Sequence, residues 1–158
     1  MTEPLCEPGR WREAPLIHDR AHIEERNPQR HEMALLHGIV HHDLESRLGL
    51  GVHHSRPDDF WVRGHIPGRP LMPAVVMVEI AAQLCSWLAS HHLDAMGEGF
   101  FGFGGLEGCR FRGQVRPGDT LVIASRILKL RKRIAHFDTQ AFVGDDMVYE
   151  GKVIGVVL

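Results

Sequence analysis

Residues 64–92 read GHIPGRPLMPAVVMVEIAAQLCSWLASHH. The first ten hold three prolines and two glycines, a composition that fixes a backbone neither helical nor extended. From Ala74 to about His92 the run carries no glycine or proline, and it reads as one long helix. Pro73 suits the first turn of that helix, where its missing N–H costs nothing. Val75, Val76, Met77, Val78, Ile80, Ala81, Ala82, Leu84, Trp87 and Leu88 cover every face. A helix apolar all round is a buried one. The stretch therefore predicts a central helix entered from a rigid loop.

The chain downstream alternates. Leu106–Phe111, Thr120–Leu130, Arg133–Val143 and Met147–Val157 read as strands, with turns at Arg116–Asp119 and Gly144–Asp146. Asp94–Gly105 reads as a glycine-rich loop. Several antiparallel strands after one buried helix predict an α+β fold with a sheet wrapped around the helix. Upstream, Met33–Ile39 reads as a helical turn leading into a strand. Leu44, Leu48 and Leu50 are core candidates. Residues 1–26 are polar, bear prolines and show no period, so an irregular arm is expected there, followed by a single domain over 27–158.

Length and composition suit one soluble globular domain: 158 residues, 44% hydrophobic and 24% charged. A formal net charge of −2 gives no global case for nucleic acid. The three cysteines form no CxxC and no even framework. The N-terminus shows no apolar signal core, and the longest apolar run is too short to span a bilayer. A cytoplasmic protein is expected. The twelve histidines include the adjacent pairs 41–42, 53–54 and 91–92. Neighbours in sequence point in different directions, and no HExxH or finger spacing occurs. Surface or loop histidines are expected, with no metal.

Two residues carry chemistry. Glu79 stands inside the apolar helix, and His65 stands on the stiff loop before it. A carboxyl in an apolar setting tends to keep its proton, and a histidine titrates in the range of a general base. Gln83 lies four residues from Glu79, on the same helix face. The amides near Ala74 and Val75 have no partner within the helix and suit a developing oxyanion. Base, acid and oxyanion donor together describe proton abstraction α to a carbonyl with loss of a β-leaving group. The alternative is a Glu satisfied by an Arg or by backbone, beside a structural turn histidine.

GHIPGRPLMPAVVMVEIAAQ (64–83) resembles the signature of FabZ-type 3-hydroxyacyl-[acyl-carrier-protein] dehydratases, G-H-F-P-x-x-P-x-M-P-G-V-x-x-x-E-x-x-A-Q. The match runs without a gap through His65, Pro67, Pro70, Met72, Pro73, Val75, Glu79, Ala82 and Gln83. CRFRGQVRPGDTLVI (109–123) and VGDDMVYEGKV (143–153) resemble later segments of that family. NPQRHEMALLHGI (27–39) resembles its early motif more weakly. The resemblance implies a hotdog fold, a long helix enclosed by a curved antiparallel sheet. It implies a homodimer, or a trimer of dimers, whose site takes His65 and Glu79 from different subunits. His65 would remove the C2 proton of a (3R)-3-hydroxyacyl thioester on acyl carrier protein, and Glu79 would protonate the departing C3 hydroxyl. Gly64, Pro73, Ala74, Val75 and Gln83 would frame the thioester. No cofactor or metal is implied.

The family's glycine after Met-Pro is Ala74 here, which adds a methyl where the thioester approaches. Its early His-Arg-Tyr-Pro reads Gln29-Arg30-His31-Glu32. An aspartate nearby is His37, and the Phe after the catalytic His is Ile66. Phe101 and Phe103, with Ile66, are candidate tunnel residues. Arg110, Arg112, Arg116, Lys132 and Arg133 are candidates for docking the acidic carrier protein. A hotdog thioester hydrolase and a non-catalytic acyl-thioester-binding subunit are the competing readings. A dehydratase/isomerase fits less well, because that relative carries Asp where Glu79 stands.

Overall fold

The structure, a computed structural model, describes residues 2–92 and 99–158. Its elements are α1 (Pro8–Trp11), β1 (His18–Asp19), α2 (Arg20–Glu24), a 3-10 turn at His31–Met33, β2 (Gly38–Asp43), β3 (Leu48–His54), α3 (Ala74–Ser90), β4 (Phe101–Phe111), β5 (Thr120–Arg131), β6 (Ile134–Val143) and β7 (Asp146–Val157). The strands form one antiparallel sheet in the order β1-β2-β3-β5-β6-β7-β4. This curved sheet around a long helix is the predicted α+β architecture.

Helix α3 follows from its sequence. Pro73 sits just outside it as the capping residue (φ −55°, ψ 133°), one position before the first turn predicted for it. Twelve of the 17 helical residues are buried. Ile80, Leu84, Trp87 and Leu88 are fully enclosed against Leu121, Ile123, Phe137 and Tyr149. Each such side chain contributes on the order of 1.5–3 kcal/mol of burial. Strand β3 meets the helix through Gly49, where a Cβ would stand 3.2 Å from a Leu88 methyl. Gly51 makes room instead for the segment before β2: a Cβ there would stand 2.6 Å from a Leu36 methyl and 3.2 Å from the Gly38 carbonyl.

The sheet is apolar on both faces. Successive residues of a strand point to opposite sides. In β5, Leu121 and Ile123 face α3, while Val122 and Ala124 join Val40, Leu50, Val52 and Phe142 on the outer face. Leu5, Cys6, Trp11 and Ala14 cover that outer face.

Several expectations need correction. The expected irregular arm carries two short helices and an edge strand. It is held by Leu5 N–H donating to Gln140 Oε1 (2.7 Å), Gln140 Nε2 donating to the Glu3 carbonyl (2.9 Å) and Ile17 N–H donating to the Ile39 carbonyl (2.8 Å). Its spaced apolar residues hid this, because they match the shape of the sheet rather than a regular period. Residues 101–105, read as loop, belong to β4, since glycine is tolerated where the strand bulges against β7. The 94–98 part of that loop lies outside the described residues. Leu44 is 61% exposed in the β2–β3 turn, whereas Leu50 is buried. The histidines are not all surface residues: His53 is fully buried, and His37, His42, His91 and His92 are half-buried.

Candidate active site

The loop before α3 is built from turns. Trp61, nearly buried, accepts from the His65 amide at 2.8 Å, and Arg69 N–H returns to the Ile66 carbonyl at 2.9 Å. Met72 N–H then docks on the Val115 carbonyl at 2.9 Å. Ile66 and Gly68 take left-handed backbone (φ 64° and 81°). That conformation is natural for glycine and strained for a β-branched residue.

The loop presents His65 as an exposed side chain with a defined tautomer. Its Nδ1 lies 2.7 Å from the Leu71 carbonyl oxygen, which can only accept. Nδ1 therefore carries the hydrogen, and in the neutral ring Nε2 keeps the free lone pair.

Glu79 departs from the buried carboxylate expected. It is half-buried, on a stripe with strongly exposed Val75 (71%) and half-buried Ala82. These residues follow an i, i+4, i+7 pattern, so one stripe of the otherwise enclosed helix stays open. Gln83 Nε2 donates to Glu79 Oε1 at 2.9 Å and to the Met33 carbonyl at 2.7 Å. Gln83 Oε1 accepts from Leu35 N–H and Leu36 N–H, both at 3.0 Å. A side-chain amide has two donors and two acceptor positions, and all four are used here. Gln83 is only 2% exposed, so no polar atom of it is left for a ligand.

At the start of α3, Val76 N–H bonds the Pro73 carbonyl at 2.9 Å. Among the described residues the amides of Ala74 and Val75 find no acceptor. Pro73 caps the helix, and Gly64 lies at the far end of the loop that leads into it. No hydrogen bond joins His65 to Glu79 among the described residues.

Phe101 and Phe103 line a narrow crevice of about 20 Å³ with Ala82, Cys85, Ser86 and Phe137. That volume holds about one water molecule. Ile66 does not line it. Cys85 is shut in beneath the crevice beside Ser125 (3.3 Å), and burial pushes its thiol up to about 12.

The basic residues do not converge on one patch. Strand register puts Arg110 opposite Glu150, while the β5–β6 turn bearing Lys132 and Arg133 adjoins Ile134, opposite Val156. Six residues of β7 separate these levels, roughly 20 Å. Arg112 is also paired: its guanidinium grips Glu150, whose carboxyl is held below its ordinary range first by the Thr2 side chain and then by Arg112. Arg116 donates to Gln114 Oε1 at 3.3 Å.

Sequence reasoning missed how the segment before β2 is fastened to the helix. Asn27 Nδ2 donates to the Gln83 carbonyl at 2.8 Å, and Arg30 reaches the carbonyls of Asn27 (2.7 Å) and Glu24 (2.8 Å). His53 Nδ1 bonds the Leu35 carbonyl at 2.7 Å. His37 stacks on His53 (4.5 Å between ring centres), and its Nδ1 accepts from His54 N–H at 2.9 Å. Burial first, and then the nearby His53 and Arg20, push His37 down to about 3. It therefore stands as a neutral acceptor.

The architecture is that of hotdog proteins. The chain superposes on the dehydratase heterocomplex ApeI:P from Xenorhabdus doucetiae with a TM-score of 0.68 at 12% identity, over 85% of this chain and 89% of that one. It also superposes on the fluoroacetyl-CoA thioesterase FlK with a TM-score of 0.60 at 14% identity, over 70% and 84%. The family profile described as FabA-like domain matches residues 27–152. The chain is 33% identical over 133 residues to the 3-hydroxyacyl-[acyl-carrier-protein] dehydratase FabZ of Clostridioides difficile, covering 84% of this chain and 92% of that protein. For the FabZ of Moorella thermoacetica the identity is 32%, covering 82% and 90%. It matches 31% of the length of the bifunctional enzyme LpxC/FabZ of Chlorobaculum tepidum, at 29% identity over 93% of this chain. The chain belongs to the FabA-like, FabZ-related dehydratase family.

Proposed function

We propose that this protein is a (3R)-3-hydroxyacyl-[acyl-carrier-protein] dehydratase of fatty acid or related lipid biosynthesis, acting in the cytoplasm as a homodimer. The observation that carries this reading is the His65 tautomer. The Leu71 carbonyl holds the hydrogen on Nδ1 and leaves Nε2 as the base.

His65 Nε2 takes the C2 proton of the thioester, and the C2–H electrons pass toward the thioester carbonyl. The amides of Ala74 and Val75, free of acceptors among the described residues, stabilise that developing oxyanion. The C2–C3 double bond forms as the C3–O bond breaks. Glu79 gives its proton to the departing hydroxyl, which leaves as water. Gln83 fixes Oε1 of Glu79, so Oε2 is the oxygen left to carry the transferred proton. His65 and Glu79 reach one substrate when a second copy supplies one of them, the arrangement the family resemblance implies. The open stripe at Val75 and Glu79 supports this, since it lies on the least enclosed side of α3. Phe101 and Phe103 flank the path of the acyl chain. Arg110 and Arg116 are the exposed cations at one end of β4 for an acidic carrier protein; Lys132 and Arg133 stand at the other end.

Water addition to a trans-2-enoyl thioester on acyl carrier protein, followed by loss of enoyl absorbance, tests this directly. Turnover that collapses in Glu79→Gln supports the dehydratase. Carrier binding without turnover at any chain length overturns it and supports the second reading, a non-catalytic acyl-thioester-binding subunit. The observation that favours that alternative is the Ala74 methyl at the helix start.

A further inference from the structure

Five imidazoles converge where the N-terminal segment meets the end of α3. His18 lies on β1, His22 on α2, His42 on β2, and His91 and His92 at the helix terminus. They gather around the buried indole of Trp87. His18 and His22 stack 4.0 Å apart, and His22 lies 5.9 Å from His91. His42 lies 5.4 Å from His91, and His91 packs on Trp87 at 4.1 Å. The Nε2 atoms of His42 and His92 are 3.5 Å apart, close enough to share one proton and unfavourable for two. His22 Nε2 and Trp87 Nε1 are buried with no hydrogen-bond partner among the described residues.

Among the described residues no three His, Cys, Asp or Glu side chains converge to hold a metal ion. The chemistry the cluster offers is proton uptake. Two of the five rings belong to the N-terminal segment and three to the body it covers. Besides the rings, that segment is held by buried Ile23, by Arg20 donating to the Ala34 carbonyl at 2.8 Å and by Arg30 donating to the Glu24 carbonyl at 2.8 Å. Leu16 and Ile17 are about half exposed, and β1 pairs with β2 through only two residues.

We propose that His18, His42, His91 and His92, with His22 stacked among them, form an acid-sensitive clasp, which holds residues 18–24 on the end of α3 while those four are neutral and releases them when they are protonated. Burial is the first cause that lowers His18, His42, His91 and His92 from their ordinary range, His42 to about 4. Neighbouring charge adds to this. His22 faces His18, and His18, His41, His91 and His92 face His42. Arg26, His22 and His18 face His91, and Arg47 faces His92. Asp19 beside His18 opposes it, and Glu25 stands 3.7 Å from His22. The sign follows. Groups with lowered folded values bind protons more readily once the segment lifts away. The clasp is therefore whole above about pH 6.5 and weakens as pH falls toward 4.

Hydrogen exchange of the full chain tests this at pH 7.5 and 5.0, corrected for intrinsic exchange, in the wild type and in His18→Gln/His22→Gln. Amides of residues 18–26 are expected to open by about tenfold more at pH 5.0 than those of β5 in the wild type, and by much less in the double variant. Opening of 18–26 that tracks β5 in the wild type overturns the clasp, as does equal opening in both proteins. Proton NMR titration of the wild type alone is a second reading. Midpoints of His18, His42, His91 and His92 below about 6.5 support the clasp, and midpoints at or above that value overturn it.

Discussion

Gln83 Nε2 donates to Glu79 Oε1 across 2.9 Å, while the oxygen of the same amide holds the backbone N–H groups of Leu35 and Leu36. One buried side chain therefore orients the candidate acid and fastens the turn before β2.

Gln83→Leu removes both roles. It keeps a similar volume but strands the buried Leu36 N–H, while Leu35 N–H keeps its bond to the Met33 carbonyl at 3.0 Å. An unsatisfied buried group costs about 1–3 kcal/mol, and a loss of that size is expected in urea unfolding. Gln83→Glu returns acceptors for Leu35 and Leu36 but sets a second carboxyl against Glu79. It should recover part of the stability and little of the turnover.

His65→Ala and Glu79→Gln are expected to lower enoyl-thioester hydration by about 10²–10⁴-fold, the usual contribution of a positioned acid or base. Both positions are solvent-accessible in the single chain. Their melting temperatures should stay close to wild type. A matching fall in melting temperature would assign these residues to folding instead.

Gly51→Ala tests how closely the segment leading into β2 presses on β3. The new methyl would meet the Leu36 side chain and the Gly38 carbonyl. Overpacking of this kind costs about 1–3 kcal/mol, read by chemical denaturation. Gly64→Ala, which meets nothing within 4 Å, is the control.

His37 supplies a pH prediction. Its folded value of about 3 lies below the unfolded value, so its stabilisation is complete above about pH 6.5 and is lost as pH falls toward 3. His37→Asn keeps an acceptor for His54 N–H and removes the titration. The difference in melting temperature between pH 7.5 and pH 5 should be smaller in the variant than in the wild type.

The helix was legible because nothing breaks the run from Ala74 to Ser90, and four strands were legible because turn residues bracket alternating runs. The arm was not. Its apolar residues Leu5, Trp11 and Ala14 are spaced to fit a surface built by distant strands, and no local period records that. His65 and Glu79 stood out because charge in an apolar or rigid setting needs a reason. The half-exposure of Glu79 was hidden, since apolar neighbours in sequence do not say which stripe of a helix lacks a cover. The five-histidine cluster was equally hidden. Its members are scattered from 18 to 92 and meet only through the fold.

A strand with one greasy side can be paired in only one register, because a slip of one residue turns that side outward. Strand β5 lacks this safeguard, since Leu121, Val122, Ile123 and Ala124 are all enclosed. Its alignment must be set by groups that cannot tolerate a shift. Ser125 meets Thr139, and Gln140 meets Glu150, across adjacent strands. Thr139 Oγ1 donates to the Gly151 carbonyl at 2.6 Å, and Ser125 faces Cys85. A band of polar side chains thus crosses the sheet like a key in a lock, and moving β5 by one position would take Ser125 away from both Thr139 and Cys85.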